Sequence, residues 1–123
     1  MAGYEAARPG YPDALFDLLS ARCGLGSGAR VLELGPGTGQ ATVPLLDRGA
    51  TVVAVEPGVA MAARLRERVE GRNCTVVEAE FEQSDLRGPF DLAVAATSFH
   101  WVDPALGLDK LANLVRPGGL LAL

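Results

Sequence analysis

Short runs of apolar, mainly β-branched residues alternate along this chain with longer segments whose apolar residues recur at helical spacing. The apolar runs predict strands at residues 31–34, 51–55, 74–77 and 92–96, and a fifth strand that begins at residue 120. Because helix-length segments separate these runs, the pattern is typical of βαβ units and of a parallel sheet.

Helices are predicted where apolar residues recur every three or four positions and where suitable residues stand at the ends. Asp103 and Pro104 are suited to begin the last helix, and the turn at residues 116–119 is suited to end it. The residues expected to share a buried face are Leu15, Leu18, Leu19 and Cys23 in an N-terminal helix, Ala62, Leu65 and Val69 in a middle helix, and Leu108, Leu111, Ala112 and Val115 in the last one.

The chain divides into a peripheral segment and a core. Residues 1–28 contain the N-terminal helix, and residues 29–123 contain the repeated strand and helix units. Because βαβ crossovers are right-handed, the core is expected to form a doubly wound α/β sheet with a ligand crevice at the carboxyl ends of its strands. Functional residues are therefore expected directly after the strands.

The composition is that of a globular domain without a basic surface. Of 123 residues, 49% are hydrophobic and 21% are charged, and the net charge of -4 gives no attraction for phosphate backbones. Two cysteines and one histidine are too few for a zinc site or a disulfide framework, and no apolar run approaches the roughly 18 residues that span a bilayer. These features predict a cytoplasmic protein with no metal, nucleic-acid or membrane partner.

The strongest local motif is a glycine-rich turn directly after the first strand. Gly35, Gly37 and Gly39 follow Leu34, and Gln40 opens the next helix. Glycine lets a ligand lie against the backbone, because no Cβ stands between them, and it adopts the dihedral angles of a tight turn at low cost. The helix N-terminus adds unpaired amide groups, which suit a carboxylate or a phosphate. The turn is therefore a candidate cofactor site.

A carboxylate lies at the end of the second strand. Glu56 stands about 20 positions after Gly35, where the acidic residue of nicotinamide-binding folds accepts both ribose hydroxyls. A dinucleotide fingerprint has glycine or alanine at position 40, whereas this chain has Gln40. The spacing thus favours a nucleoside without a pyrophosphate, and an NAD-dependent oxidoreductase domain is kept as an alternative.

These motifs resemble those of the class I S-adenosylmethionine-dependent methyltransferases, of the small-molecule kind called methyltransferase type 11. The resemblance covers almost the whole chain, because residues 90–94 resemble the family's fourth strand and residues 116–120 its turn into the fifth. It implies a Rossmann-like, doubly wound and mainly parallel sheet with the strand order 3-2-1-4-5. It also implies S-adenosyl-L-methionine as the cofactor, a small-molecule methyl acceptor, and residues 29–123 as the cofactor-binding core.

The cofactor-binding residues that the resemblance implies follow the first three strands. Those after the first strand hold the methionine part, Glu56 binds the ribose, and Met61 packs beside the adenine. The spacing leaves open whether Glu80-Phe81 or Glu78-Ala79 contacts the adenine edge. The set comprises Glu33, Gly35, Gly37, Gly39, Gln40, Glu56, Pro57, Met61, Glu80 and Phe81.

Two further segments resemble parts of the same family. Tyr4 and Arg8 resemble its lid, in which an arginine pairs with the methionine carboxylate. Residues 96–103 are expected to line the crevice for the methyl acceptor, and Thr97 there is expected to contact the cofactor. His100 is the candidate catalytic base for a hydroxyl acceptor, because histidine exchanges protons near neutral pH.

The family's sheet continues beyond the fifth strand, inside which this chain stops. The resemblance therefore implies that closing strands 6 and 7 are missing, so we expect cofactor binding and treat catalysis by this chain alone as a separate question. An uncovered fifth strand favours pairing with another chain, which predicts self-association. A non-catalytic Rossmann-like interaction module is the second alternative.

Overall fold

The structure is a computed structural model that describes residues 28–95, 101 and 103–122, together with residues 14, 17, 18, 21 and 22 of the N-terminal segment. The five N-terminal residues are helical, as predicted for that segment, but Leu18, which was expected on the buried face, is 51% exposed; Leu15, Leu19 and Cys23 lie outside the described residues. Asp17, one of the five, accepts a hydrogen bond from Arg48 at 2.8 Å, which links the N-terminal segment to the core. No helix in these ranges combines the length and the apolar character needed to cross a membrane.

The described core alternates strands and helices in the order that the apolar pattern predicted. The strands are β1 (Arg30–Leu34), β2 (Thr51–Val55), β3 (Cys74–Val77), β4 (Phe90–Ala95) and β5 (Val115–Ala122). The helices are α1 (Thr42–Asp47), α2 (Val59–Arg68) and α3 (Pro104–Leu114), and a short 3-10 helix spans Phe81–Gln83.

The five strands form one parallel sheet in the order β3-β2-β1-β4-β5, which confirms the predicted strand order. Leu34 at the end of β1 pairs with Val55 on one side and with Ala95 on the other. The strand order reverses between β1 and β4, and the end of β2 lies directly beside this point, on the other side of β1. Open α/β sheets form their ligand crevices at this point.

Side chains alternate between the two faces of β1, and each face has its own apolar core. Val31 packs with Leu45 of α1 and Leu65 of α2, and all three side chains are fully buried. Leu32, on the opposite face, belongs to a second core with Leu111 of α3. Helices thus cover both faces of the sheet, as a doubly wound fold requires.

The fifth strand begins earlier than predicted. It starts at Val115 instead of residue 120, and the pairing with β4 passes from Phe90 opposite Val115 to Leu92 opposite Leu120. Residues 116–119 therefore bulge from β5 opposite a single residue of β4. The predicted turn is present as this bulge, because two glycines and a proline interrupt the ladder without ending the strand.

The buried face of α3 differs from the predicted one. Leu111 is buried as expected, but Leu108 and Ala112 are exposed, and Gly107 is buried in their place. The ring of Trp101 lies against Gly107 so closely that a Cβ there would stand 2.1 Å from ring atom Cε3. The periodicity of apolar residues gives glycine no weight, so it did not predict that the face of α3 around Gly107 is the one that packs against the Trp101 ring.

Two helix starts show how side chains and turns set the boundaries. The helix after the glycine-rich turn begins at Thr42, two residues later than the predicted start at Gln40, because residues 37–41 form turns. The cap of α3 is as predicted: the Asp103 carboxylate accepts a hydrogen bond from the Ala105 N–H at 3.1 Å.

Candidate functional site

The turn between β1 and α1 presents bare backbone at the carboxyl edge of the sheet. Gly35, Gly37 and Gly39 have φ angles of 67°, 60° and 103°, in the left-handed region that favours glycine. A Cβ at Gly37 would find only the Gln40 side chain, 3.7 Å away, so that side of the turn is open. The amide of Gln40 donates to the Thr38 hydroxyl at 2.9 Å, which folds this side chain back over the turn.

Glu56 joins the turns that follow β1 and β2. Its Oε1 accepts a hydrogen bond from the Gly37 N–H at 3.1 Å, and its Oε2 accepts one from the Gly58 N–H at 2.8 Å. The residue is 8% exposed and lies at the edge of the crevice. A carboxylate has about four lone-pair positions, so each oxygen keeps capacity for a further donor. Two hydroxyl groups of a ligand are donors of the right kind.

Glu33 is a second carboxyl group beside the same turn, and it is 3% exposed. It lies on the α1 face of β1, where its Oε1 accepts a hydrogen bond from the Thr42 hydroxyl at 2.5 Å. Burial raises the pKa of Glu33 to about 7, the Thr42 hydrogen bond opposes the rise, and the negative charge of Glu56 adds to it. The structure therefore brings Glu33 close enough to Glu56 for their charges to interact.

Apolar surface adjoins the glycine-rich turn at the start of α2. Pro57 and Val59 are exposed, and the Met61 side chain is 44% exposed. Water-exposed apolar residues grouped beside polar donors and acceptors suit a flat aromatic ligand. The predicted role of Met61 beside an adenine stays a prediction.

The two candidate pairs after β3 differ in their surroundings. The Glu78 carboxylate accepts a hydrogen bond from the Arg66 side chain at 3.5 Å, whereas Glu80 is half-buried directly before the 3-10 helix. The Phe81 ring is fully buried and meets the Trp101 ring edge-on, with 5.9 Å between ring centroids. Phe81 as a whole residue is 0% exposed, so its contact with the adenine edge stays a prediction.

Three predicted site residues, Arg8, Thr97 and His100, lie outside the described residues, as does Tyr4 of the predicted lid. Their roles in cofactor binding and catalysis stay predictions. The described positions after β1, β2 and β3 do meet at one edge of the sheet, which is the arrangement that the spacing of the motifs required.

The sequence reasoning missed three side chains that shape this edge. Thr42 bonds Glu33, the Arg68 guanidinium donates to the Thr38 carbonyl at 3.0 Å, and Lys110 donates to two backbone carbonyls after β3. There was a reason in the sequence to single out Thr42, because it stands at a helix start next to the glycines. Lys110 was also distinctive, as the chain's only lysine. Nothing in the sequence distinguished Arg68 from the other arginines on the polar face of its helix.

Comparison with known proteins identifies the class. The family model described as a methyltransferase domain matches residues 32–123, which is most of the chain. The chain therefore belongs to the methyltransferase domain family.

An uncharacterized methyltransferase of Mycobacterium tuberculosis is 37% identical over 123 residues, which cover 100% of this chain and 49% of the relative. Two solved structures share the fold. An S-adenosylmethionine-dependent methyltransferase from Mesorhizobium loti is 28% identical with a TM-score of 0.71 and covers 86% of this chain and 50% of its own. Coclaurine N-methyltransferase, bound to N-methylheliamine and SAH, is 25% identical with a TM-score of 0.72 and covers 89% of this chain and 33% of its own.

The chain spans about half the length of the curated methyltransferases that it matches over its full length. These relatives and structures give no support to the two alternatives, an NAD-dependent oxidoreductase domain and a non-catalytic module. What the similarity does cover is the β1 to β5 sheet and its carboxyl edge, where the glycine-rich turn and Glu56 lie.

Proposed function

We propose that this chain binds S-adenosyl-L-methionine and serves methyl transfer to a small-molecule acceptor. The observation that carries the proposal is the junction at Glu56, whose carboxylate links the glycine-rich turn to the turn after β2 and keeps two lone-pair positions open. Family membership and the parallel order of the sheet support the same conclusion.

The described residues fit this cofactor in three places. Glu56 would accept hydrogen bonds from the two ribose hydroxyls. The backbone of Gly35–Gly39, which carries no Cβ on its open side, would lie against the methionine part. The exposed side chain of Met61 would pack on the adenine, and Glu80 with the Phe81 N–H would contact its edge. We choose Glu80 over Glu78 because Arg66 already pairs with the Glu78 carboxylate.

S-adenosylmethionine, when bound, supplies a methyl group on a positively charged sulfur, ready for displacement by a nucleophile. The task of the chain is then to align donor and acceptor and to exclude water. The Glu56 carboxylate places negative charge beside the glycine-rich turn, which favours the positively charged sulfur of this cofactor. Arg8 would close over the methionine carboxylate as part of an N-terminal lid formed by residues 1–28, and Thr97 would contact the cofactor from the segment after β4.

For the acceptor we propose a small molecule. The net charge of -4 gives no field that would attract a nucleic acid, and the coclaurine N-methyltransferase structure named above is bound to N-methylheliamine. His100 would take the proton of a hydroxyl acceptor. We also propose a cytoplasmic setting, which agrees with the free thiol of Cys74.

Calorimetric titration tests the proposal. The wild type, Glu56→Gln and Glu70→Gln are titrated with S-adenosylhomocysteine and with NAD. We expect the wild type to bind S-adenosylhomocysteine and not NAD, and Glu56→Gln to bind it at least about tenfold more weakly, since charged hydrogen bonds contribute about 1.5–3 kcal/mol. Glu70→Gln removes the same charge at an exposed position and should bind as the wild type does. NAD binding, or an unchanged affinity in Glu56→Gln, would contradict the proposal.

A further inference from the structure

The strongest set of contacts that the proposed function does not use is centred on Lys110, the only lysine among the 11 basic residues of the chain. Its ammonium group donates to the Phe81 carbonyl at 2.6 Å, to the Ser84 carbonyl at 2.5 Å and to the Ser84 hydroxyl at 3.3 Å. It also lies 4.8 Å from the centre of the Phe81 ring. One side chain of α3 thus fastens residues 81–84 of the loop that follows β3.

The chemistry of the contact explains why a lysine stands here. An ammonium group has three donors in a tetrahedral arrangement, and it matches three acceptors that converge on one point. The planar guanidinium of arginine has a fixed fork of donors suited to flat, two-pronged acceptors, and the other basic residues of this chain are all arginine. The Lys110 side chain is half-buried, so little water competes for these bonds.

A second group of contacts ties the same loop to the segment between β4 and α3. The Trp101 and Phe81 rings meet edge-on at an interplanar angle of 82°, and the Asp103 N–H donates to the Glu82 carboxylate at 2.9 Å. Gly107 leaves room for the Trp101 ring. The loop on the adenine side and the segment proposed for the acceptor are therefore joined by the Phe81–Trp101 ring contact and by the Asp103–Glu82 hydrogen bond, and Lys110 fastens the same loop to α3.

We propose that Lys110 is a positioning residue, which holds residues 80–84 so that the Glu80 carboxylate faces the adenine, and which thereby couples cofactor binding to the position of Trp101. This inference rests on the proposed function, since it assigns a role toward the same cofactor. Lys110 itself contacts the backbone and side chains of Phe81 and Ser84, and it acts on the cofactor through this loop.

Substitution of Lys110 and titration with S-adenosylhomocysteine test the inference. Lys110→Met keeps the apolar stem and removes the donors, and we expect it to bind S-adenosylhomocysteine about tenfold more weakly, because a charged donor to buried carbonyls is lost. Lys110→Arg keeps the charge and should show a similar loss, since its fork does not match the three acceptors. Arg87→Met removes one positive charge at an exposed position before β4, at the opposite edge of the sheet, and should leave the affinity unchanged.

The shift in Trp101 emission on saturation with ligand supplies a second readout, which a folded variant of lower stability would retain; Trp101 is the only tryptophan. Saturation with S-adenosylhomocysteine should shift its emission in the wild type and in Arg87→Met, and should not shift it in Lys110→Met. Hydrogen exchange at residues 81–84 should be faster in ligand-free Lys110→Met than in the wild type, since the carbonyl anchors are gone. If Lys110→Met does not unfold cooperatively, Ser84→Ala replaces it, with an expected loss of affinity of about two- to threefold.

The outcomes separate this inference from the proposed function. If the wild type binds S-adenosylhomocysteine and Lys110→Met or Ser84→Ala binds equally well with the same Trp101 emission shift, the positioning role is overturned and the proposed function stands. Full affinity in Lys110→Arg would show that charge alone suffices and would also overturn it. If the wild type does not bind S-adenosylhomocysteine, both proposals fall, whatever the hydrogen exchange shows.

Discussion

Replacement of Glu33 by glutamine should change how the stability of the folded chain depends on pH. Glu33 is 3% exposed, and the Thr42 hydroxyl donates to it from α1. Glutamine has the same shape and keeps an oxygen that accepts the Thr42 hydrogen bond, but it cannot ionise. The substitution Glu33→Gln therefore isolates the cost of placing a carboxylate at this buried position.

The pKa of Glu33 rises from 4.5 to about 7 on folding, with burial as the largest cause. The folded state therefore binds more protons than the unfolded state between these values, so the free energy of unfolding falls as pH rises from about 4.5 to about 7. At about 1.4 kcal/mol for each pKa unit, the whole loss is about 3 kcal/mol, of which about 2–3 kcal/mol falls between pH 5 and 8. The glutamine variant lacks this loss.

Urea denaturation followed by circular dichroism at 222 nm, at half-unit steps from pH 5 to 8, measures the difference. We expect the free energy of unfolding of Glu33→Gln minus that of the wild type to be about 2–3 kcal/mol larger at pH 8 than at pH 5. Thr42→Val removes the hydrogen bond that lowers the pKa of Glu33, so the fall in stability should extend to higher pH. Parallel pH profiles for the wild type and Glu33→Gln would refute the reasoning.

Substitutions at three further positions test packing and helix capping around the site, each by chemical denaturation. Gly39→Ala places an alanine at a backbone φ of 103°, with its Cβ 3.1 Å from Leu65 Cδ1, and it should lower the free energy of unfolding by about 1–3 kcal/mol. An unchanged denaturation midpoint would contradict this. Gly107→Ala ordinarily adds about 1 kcal/mol to a helix, but here the overlap with Trp101 should destabilise the chain and shift the tryptophan emission; a stabilised variant would be the opposite result. Asp103→Ala should cost about 1 kcal/mol by loss of the α3 cap, whereas Asp103→Asn should retain most of the stability.

Motifs made of contiguous residues were predictable, because their chemistry is local. Glycines after a strand imply positive φ angles, and Gly35, Gly37 and Gly39 have them. Glu56 was identified by its distance in sequence from Gly35, since a βαβ unit of ordinary length returns the chain to the same edge of the sheet. The contact of Glu56 with the Gly37 N–H is the direct result of that return.

Contacts that depend on the rotation of a helix or the register of a strand were not predictable in the same way. The apolar pattern predicted that Leu108 and Ala112 are buried. In the structure the Trp101 ring packs against Gly107 of α3, and Leu108 and Ala112 are exposed to solvent. Lys110 then points at the loop after β3, across 26 residues of sequence from Ser84. The residues next to Gly107 and Lys110 in the sequence do not indicate that these two positions contact Trp101 and Ser84.

The amino-acid sequence alone determined the class of fold, the family and the edge of the sheet at which the site lies, because hydrophobic period, glycine positions and strand ends are properties of neighbouring residues. Only the tertiary structure decided how Glu33 and Glu56 share that edge, which side chains fasten the loop after β3, and how β5 joins the sheet through a bulge. The reason is physical: burial and hydrogen-bond partners arise where distant segments pack, and a carboxyl group or an ammonium group acquires its role from the groups brought next to it.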